Sequence, residues 1–331
     1  MKYSKIVLKL IKIVETNKDF QRKMKEALET QPKTSFWYKK TLDDMYLFFD
    51  EWYVFLPLVN SVKKYISNFS DFYIKGNGSE LVRNTPFKEW IAEFVVARGN
   101  FMDSSHSAQY VQDWLDNTNV DIDDFVVPPG GFQSFNEFFT RTLKQYKRPI
   151  ASPNDDRTIV SPADCSINQM IVQLVGNEKI KSKEMSLDVK KMLGGDSHAK
   201  QFVKGSAVVS SLEATNYHRF HSPVSGRIIA KKKLEGLCFG IKGFSGFFQD
   251  QPRGYYIIKT DKFGLVGYVA IGITTISSVN IIKPKNYKVA KGEEIGHFAY
   301  GGSAIVLLFE PDAIDFSVPV HVGNAIGTFK D

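Results

Sequence analysis

The sequence predicts an α+β protein in which a helical N-terminal region precedes a β-rich catalytic domain built as a sandwich or a barrel. Before residue 125, apolar residues recur at three- and four-residue spacing, which is the period of amphipathic helices. After residue 150, short β-rich runs alternate with Gly, Pro, Asn and Asp, a texture typical of sandwiches and barrels. We therefore expect a helical region over 1–125 and a second domain over 126–331.

The helical region begins with an apolar stripe that consists of Ile6, Leu10, Ile13 and Val14. The opposite side carries four lysines, Lys2, Lys5, Lys9 and Lys12. A basic amphipathic helix of this kind could lie in a membrane interface. The alternative, which we favour, is that its apolar side packs on the helices predicted in LDDMYLFFDEWYVFLPLVNSVKKYI and TPFKEWIAEFVVARG.

Between the two halves, the Pro-Pro-Gly-Gly of VVPPGGF indicates a linker. The segment SFNEFFTRTLKQY predicts one short helix, capped by Ser134 with Glu137 three residues later and ended by Pro149 and Pro153. The strands that follow are predicted in SAVVSSLE, GRIIAKKKL, YYIIKTD, LVGYVAIGIT, SSVNIIK and AIVLLFE.

The composition is that of a soluble globular protein, with 43% hydrophobic and 24% charged residues in a chain of 331. No apolar run is long enough to span a membrane, and MKYSKIVLKLIKIVE does not read as a secretory signal. Cys165 and Cys238 form neither a disulfide framework nor a metal-ligand spacing, which favours a cytoplasmic location and no metal. The net charge of +7 allows attachment to the inner face of an anionic membrane, but no nucleic-acid module is present.

Three short segments carry the residues that point to chemistry: SPADC at 161–165, YHRFHSP at 217–223, and Gly301-Gly302-Ser303. Together they supply an Asp, a His and a Ser, the minimum set for activating a hydroxyl. Each has an ordinary structural reading as well. Asp164 could cap a turn, the histidines could be structural, and the two glycines could form a hairpin turn.

These segments resemble one family. FNEFFTRTLKQYKRPI, SPADC, YHRFHSP and GGSAIVLLFEPDAI occur in the order and at the spacing found in phosphatidylserine decarboxylases, and KGEEIGHFAYGGS resembles that family's approach to its cleavage site. The resemblance covers residues 130–331, while the helical region is similar to that of the family's soluble branch, which includes aromatic amino-acid decarboxylases. Two positions depart from the pattern: Ala304 follows the cleavage Ser, and Cys165 stands where Gly is usual.

The resemblance implies that the chain cuts itself between Gly302 and Ser303. Ser303 Oγ would attack the Gly302 carbonyl, His221 would take the hydroxyl proton, and Asp164 would hold His221 in the right tautomer. The products would be a β chain of residues 1–302 and an α chain of residues 303–331.

The resemblance also implies that residue 303 becomes a pyruvoyl group, a covalent cofactor that forms a Schiff base with the substrate amine. Its carbonyl would accept the electrons left when CO2 departs. His218 would then protonate the carbanion carbon.

We expect phosphatidylserine as substrate, with a free and in particular an aromatic L-amino acid as the alternative. The lipid would be reached through the basic N-terminal helix or through the aromatic segment 236–250, which could equally be a lid or a hairpin that covers the sheet. The family is often dimeric, so a homodimer is compatible with the resemblance.

Two readings from other classes stay open. HSPVSGRI and VAKGEEIGHF resemble biotinyl and lipoyl carrier domains, although the hairpin tip holds Gly-Gly-Ser and no Lys. A zinc hydrolase would use Asp164, His218 and His221, although H-x-x-H alone is a weak zinc signal.

Overall fold

The computed structural model describes residues 3–56, 63–174, 178–180, 185–236, 250–273, 278–299 and 302–316. The expected α+β class is confirmed, because helices occupy the N-terminal region and antiparallel strands dominate the rest. The helices are α1 (Lys5–Thr16), α2 (Lys18–Glu29), α3 (Leu42–Val54), α4 (Lys63–Ile74), α5 (Ser79–Arg83), α6 (Phe87–Asp103), α7 (Gln109–Asn117), α8 (Phe135–Phe139) and α9 (Val189–Met192).

The strands agree with all six predicted β-rich runs, which correspond to β6, β8, β9, β10, β11 and β14. In chain order the strands are β1 (Phe125–Val126), β2 (Thr142–Leu143), β3 (Ser166–Ile171), β4 (Glu178–Ile180), β5 (Met185–Leu187), β6 (Ser206–Leu212), β7 (Arg219–His221), β8 (Gly226–Leu234), β9 (Arg253–Lys259), β10 (Leu265–Ile273), β11 (Ser278–Ile281), β12 (Lys288–Val289), β13 (Glu294–Ala299) and β14 (Gly302–Phe309).

The first helix belongs to the core of the helical region. Val7, Leu10 and Val14 are completely buried among side chains of α2, α3 and α6. On the outer side, the Lys9 ammonium pairs with Glu93 of α6. The apolar side of α1 therefore packs on its neighbouring helices, as the favoured alternative expected, and that side is not exposed to a bilayer in the folded chain.

The segment after the linker differs from its prediction. Ser134 does cap α8, since its hydroxyl accepts from the Glu137 N–H, but the helix ends at Phe139 and does not continue toward Pro149. The chain turns inward at Arg141, whose guanidinium donates to the backbone of residues 215 and 216. Residues 142–143 then form β2, paired with β1. These tertiary contacts override the local helix preference.

Two sheets form the β-rich part. A seven-stranded antiparallel sheet has the order β12-β8-β9-β10-β14-β6-β3, and a three-stranded sheet has the order β11-β13-β7. Side chains from one face of the large sheet and from the small sheet share one apolar core, exemplified by Tyr268 and Ile305 against Phe220 and Phe298. The other face of the large sheet packs on α9 and the segment that follows it. The arrangement is the sandwich that the alternation of short strands and turns predicts.

The helical region and the sandwich meet through α8. Phe135, Phe138 and Phe139 pack on Met102 and Trp114 of the helical region, with Ala214 from the sandwich at the edge of the same cluster. The expected domain boundary at 125/126 stays a prediction. Within the described ranges, no helix is both long enough and apolar enough to cross a bilayer.

Candidate active site

Ser303 is placed by β14, which lies between β10 and β6 inside the large sheet. It stands opposite Leu212 on β6 and Gly272 on β10. Since side chains alternate along a strand, Ser303 shares its face with Ile305, which lies in the core between the two sheets. Its side chain is 2% exposed, and Gly272 places no side chain beside it.

Both histidines of YHRFHSP are brought toward the start of β14 by the small sheet. Strand β7 pairs with β13, and the Phe298 N–H donates to the His218 carbonyl at 2.9 Å. Strand β13 ends at Ala299, only a few residues before Ser303. The pairing of β7 with β13 therefore holds His218 and His221 at the end of the sandwich where the chain enters β14.

The segment SPADC is bound to the same place through its backbone. The His221 N–H donates to the Pro162 carbonyl at 2.8 Å. A few residues later β3 begins at Ser166, opposite Ser211 of β6, which is itself paired with β14. The start of β3 is thus two strand spacings, about 10 Å, from β14. The structure brings all three predicted segments together at one end of the sandwich.

The ring of His221 has a partner at each nitrogen. Nδ1 lies 2.9 Å from the Gly292 carbonyl oxygen, and Nε2 lies 3.0 Å from Tyr217 Oη. Because a carbonyl can only accept, Nδ1 carries the hydrogen and Nε2 is the bare nitrogen that receives the tyrosine hydroxyl. Burial lowers the pKa of His221 below its usual value, so the ring is neutral and has the protonation state of a general base.

Asp164 is engaged elsewhere. Its carboxylate accepts from Arg148 Nε at 3.0 Å and from Arg148 Nη2 at 2.8 Å, while Arg148 Nη1 also binds Asp124. This pairing raises the pKa of Arg148. Among the hydrogen bonds of the described ranges, none joins Asp164 to His221, although the carboxylate is close enough to act on the ring through its charge. That Asp164 orients His221 therefore stays a prediction.

His218 lies in a dry environment against α8. The residue is 0% exposed, and its ring stacks on Phe139 with 4.0 Å between centroids. Nδ1 is 2.8 Å from the Asn216 carbonyl oxygen, which leaves Nε2 bare, buried and without a partner among the described residues. Burial first, and the nearby Arg141 second, lower the pKa of His218 to about 3. At neutral pH this side chain is a neutral acceptor.

Comparison with known proteins agrees with this arrangement of segments. Residues 135–328 match the model of the family described as phosphatidylserine decarboxylase. The chain belongs to the phosphatidylserine decarboxylase family. It is 31% identical over 250 residues to phosphatidylserine decarboxylase proenzyme 2 of Oryza sativa subsp. japonica, and 32% identical over 251 residues to the phosphatidylserine decarboxylase proenzyme of Clostridium novyi (strain NT).

The relatives differ in how much of their length this family member spans. It covers 83% of the Clostridium novyi proenzyme with 70% of its own residues. It covers 40% of the rice protein and 25% of phosphatidylserine decarboxylase proenzyme 3 of Schizosaccharomyces pombe, each with 73% of its own residues.

The position after the cleavage Ser does not face the site. Ala304 is 1% exposed and packs in the core on the opposite face of the large sheet from Ser303. The departure from the phosphatidylserine decarboxylase pattern at this residue therefore places no different side chain beside the reacting atoms.

Two residues of the site escaped the sequence analysis. Tyr217 precedes His218 in YHRFHSP and binds His221, and Arg141 is a buried cation whose Nη2 donates to the same Asn216 carbonyl that His218 binds. The guanidinium of Arg141 also lies 4.2 Å from the ring centre of Phe125. The segment that contains Arg141 was predicted as an exposed helix, which concealed its role, whereas Tyr217 stood inside a motif already singled out.

A cavity of about 880 Å³ lies beside the end of β13. Its lining is largely polar and includes Asn136 and Glu137 of α8, Asn280 of β11 and His297 and Ala299 of β13. Asp103 of the helical region also reaches it, so both parts of the chain shape this space. The volume is in the range of small-molecule pockets.

The remaining candidate residues lie away from this site or outside the described residues. His198 binds the carboxylate of Asp196 at 2.7 Å and is structural. No group of three or more His, Cys, Asp or Glu side chains in the described ranges is arranged to hold a metal ion. Gly301, Cys238, His321 and most of the segment 236–250 lie outside the described residues.

The buried histidines predict a pH-dependent stability. In the unfolded chain His218 has its ordinary pKa of 6.5, while the folded value is about 3, so the unfolded state binds the proton first as pH falls. Stability is complete above pH 6.5 and declines below it toward pH 3. We expect urea unfolding to lose up to about 1.4 kcal/mol per pH unit from this residue. His218→Gln should flatten that slope, whereas His106→Gln, at an exposed position, should leave it unchanged.

Proposed function

We propose that this chain is a self-processing, pyruvoyl-dependent decarboxylase that converts phosphatidylserine to phosphatidylethanolamine with release of CO2. The observation that supports this most directly is the backbone hydrogen bonding of SPADC to YHRFHSP, and of YHRFHSP to the strand that leads to Ser303. Membership of the phosphatidylserine decarboxylase family supports the same reaction. Relatives that carry the name phosphatidylserine decarboxylase proenzyme support the self-processing step.

Self-cleavage uses groups that the chain already holds. Ser303 Oγ attacks the carbonyl carbon of Gly302 while its proton passes to His221, and the amide becomes an ester. Loss of the α-hydrogen of residue 303 then expels the Gly302 carboxylate by β-elimination. The dehydrated residue takes up water and releases ammonia, which leaves a pyruvoyl group at position 303. Burial of His221 suits it to the first step, because the neutral ring is the base.

The surroundings of residue 303 fit a pyruvoyl group. The position is almost fully buried on the inner face of β14, and Gly272 leaves space across the strand pair. His218 Nε2 is a buried acceptor without a partner among the described residues, which indicates that a further group belongs there. The keto carbonyl of a pyruvoyl group would bind the substrate amine and accept the electrons released with CO2.

The role proposed for His218, donation of a proton to the product carbon, requires that the ring first gain one. In the uncleaved chain the ring is neutral because it is buried beside Arg141. A substrate carboxylate next to His218 would oppose the charge of Arg141 and favour the imidazolium form. Protonation of His218 is then coupled to the arrival of an anionic substrate, and Asn216 keeps the ring in place through Nδ1.

The polar cavity beside β13 supports a substrate with a polar head. Amide, carboxylate and imidazole groups line it, so it suits the amino-acid part of phosphatidylserine better than acyl chains. The acyl chains would then remain in the bilayer, to which a chain of net charge +7 is attracted when the lipids are anionic. The same polar lining would also accept a free amino acid, which remains the second candidate substrate.

Intact mass spectrometry of the purified protein tests self-processing. We expect the wild type to yield two chains, with the C-terminal fragment beginning at a pyruvoyl group in place of Ser303. Ser303→Ala removes the attacking hydroxyl and should stay at full length. A wild type that persists as one unbroken chain under native conditions would exclude the proposed function.

The two histidines should separate the two reactions. His221→Ala removes the base and should block cleavage. His218→Ala should still cleave but decarboxylate roughly 10²- to 10⁴-fold more slowly, the usual contribution of general acid catalysis. Gel analysis measures the first effect and CO2 release by the processed protein measures the second. Normal processing of both variants would show that these roles are wrongly assigned.

Substrate choice is tested by CO2 release from processed protein. We expect release with vesicles that contain phosphatidylserine and little or none with a panel of free L-amino acids that includes the aromatic ones. Vesicles of phosphatidylcholine are the matched control. Release from a free amino acid without release from vesicles would favour the second candidate.

A further inference from the structure

The base of the proposed self-cleavage has its reactive nitrogen already occupied. Nε2 of His221 is the bare nitrogen, because Nδ1 donates to the Gly292 carbonyl, and Tyr217 Oη lies 3.0 Å from it. Tyr217 is therefore the donor in this bond, since only its hydroxyl carries a hydrogen between the two atoms. Nε2 is also the atom that must receive the Ser303 proton.

The position of Tyr217 is fixed by packing. The residue is 3% exposed, and its ring stacks on Phe125 with 6.0 Å between centroids. Burial raises the pKa of the phenol, so Tyr217 stays neutral and cannot itself act as the base. A neutral hydroxyl retains both properties that matter here, since it can donate a hydrogen bond and also accept one.

The charged groups around His221 leave Tyr217 as its direct side-chain partner. Glu294 and Asp164 favour the imidazolium form and Arg219 opposes it. Glu294 is bound to Arg219 at 2.8 Å, and Asp164 is bound to Arg148. These charges act on the ring from a distance and in opposite directions, whereas Tyr217 contacts the reactive nitrogen.

We propose that Tyr217 positions His221 for self-cleavage and takes the orienting role that the resemblance assigns to Asp164. This inference rests on the proposed function, because it concerns the same bond at residues 302 and 303. While His221 is neutral, Tyr217 donates to Nε2 and holds the tautomer that can accept a proton. After the Oγ–H bond of Ser303 breaks and the proton resides on Nε2, that nitrogen is a donor and Tyr217 Oη is its acceptor.

The second of these two hydrogen bonds is the stronger one, because a bond from a charged donor exceeds a neutral one. Tyr217 therefore stabilises the imidazolium more than the neutral ring. Removing the hydroxyl should make His221 a weaker base as well as a less well oriented one. A purely structural role for the phenol predicts neither effect.

The test compares Tyr217→Phe with Tyr255→Phe. Phe keeps the ring of Tyr217 and its stacking on Phe125. Tyr255 is an equally buried phenol, 2% exposed, whose hydroxyl binds Asp196 at 2.7 Å, so it serves as the matched control. The rate at which full-length chain becomes two chains is followed by intact mass between pH 4.5 and 8, after a thermal melt establishes that each variant is folded.

We expect Tyr217→Phe to slow cleavage roughly ten- to a hundredfold on the pH plateau. The acid limb of the profile should move to lower pH, because the imidazolium has lost its acceptor. Tyr255→Phe should match the wild type in rate and in profile. Unchanged rate and limb in Tyr217→Phe, or a limb that moves to higher pH, would overturn the inference.

A second measurement does not depend on cleavage or on the Tyr217 variant. In the uncleavable Ser303→Ala chain, the nitrogen NMR shifts of His221 should show a protonated Nδ1 and a hydrogen-bonded, bare Nε2. The opposite tautomer would overturn the inference even if Tyr217→Phe failed to fold. Wild-type protein that never breaks at 302/303 would instead remove the proposed function itself, so the two failures are distinguishable.

Discussion

The arrangement of this site depends on a few backbone hydrogen bonds between segments that are far apart in sequence. Pro162 accepts from the His221 N–H, and His218 accepts from the Phe298 N–H, shortly before β14 begins. Main-chain bonds of this kind fix positions without using the side chains. The imidazole, carboxylate and hydroxyl groups thus remain available for chemistry while their backbones are held by the sandwich. A change that breaks the pairing of β7 with β13 would move both histidines at once.

The same sandwich gives its two histidines different surroundings. His218 is sealed against Phe139 and beside the Arg141 cation, whereas His221 is only partly buried and exchanges hydrogen bonds with Tyr217 and Gly292. Two identical side chains, three residues apart, are thereby separated in proton affinity and in partners. Environments that push titratable groups apart are the usual basis on which one site carries out two proton transfers.

Much of the fold could be predicted from the sequence, because its signals are local. The alternation of apolar and turn residues located β6, β8, β9, β10, β11 and β14, and the stripe of α1 located its buried side. The end of α8 could not be predicted in this way, because Arg141 turns inward to reach carbonyls 74 and 75 residues away. For the site, the motifs identified the segments but not the partners. The pairing of Asp164 with Arg148, and of His221 with Tyr217, is decided by three-dimensional contacts that no spacing in the chain specifies.

The position of β14 has a consequence for the molecule after it is cut. This strand is bordered by β10 on one side and β6 on the other, and its side chains enter both cores. Breaking the peptide bond at its first residues would leave the fragment clamped in the sheet by ladder hydrogen bonds and apolar packing. Once unfolded, however, the two pieces would have to find each other by diffusion, so that reassembly becomes bimolecular and dependent on concentration. Maturation would thereby turn a reversible fold into one that is reached efficiently only once, from the uncut precursor.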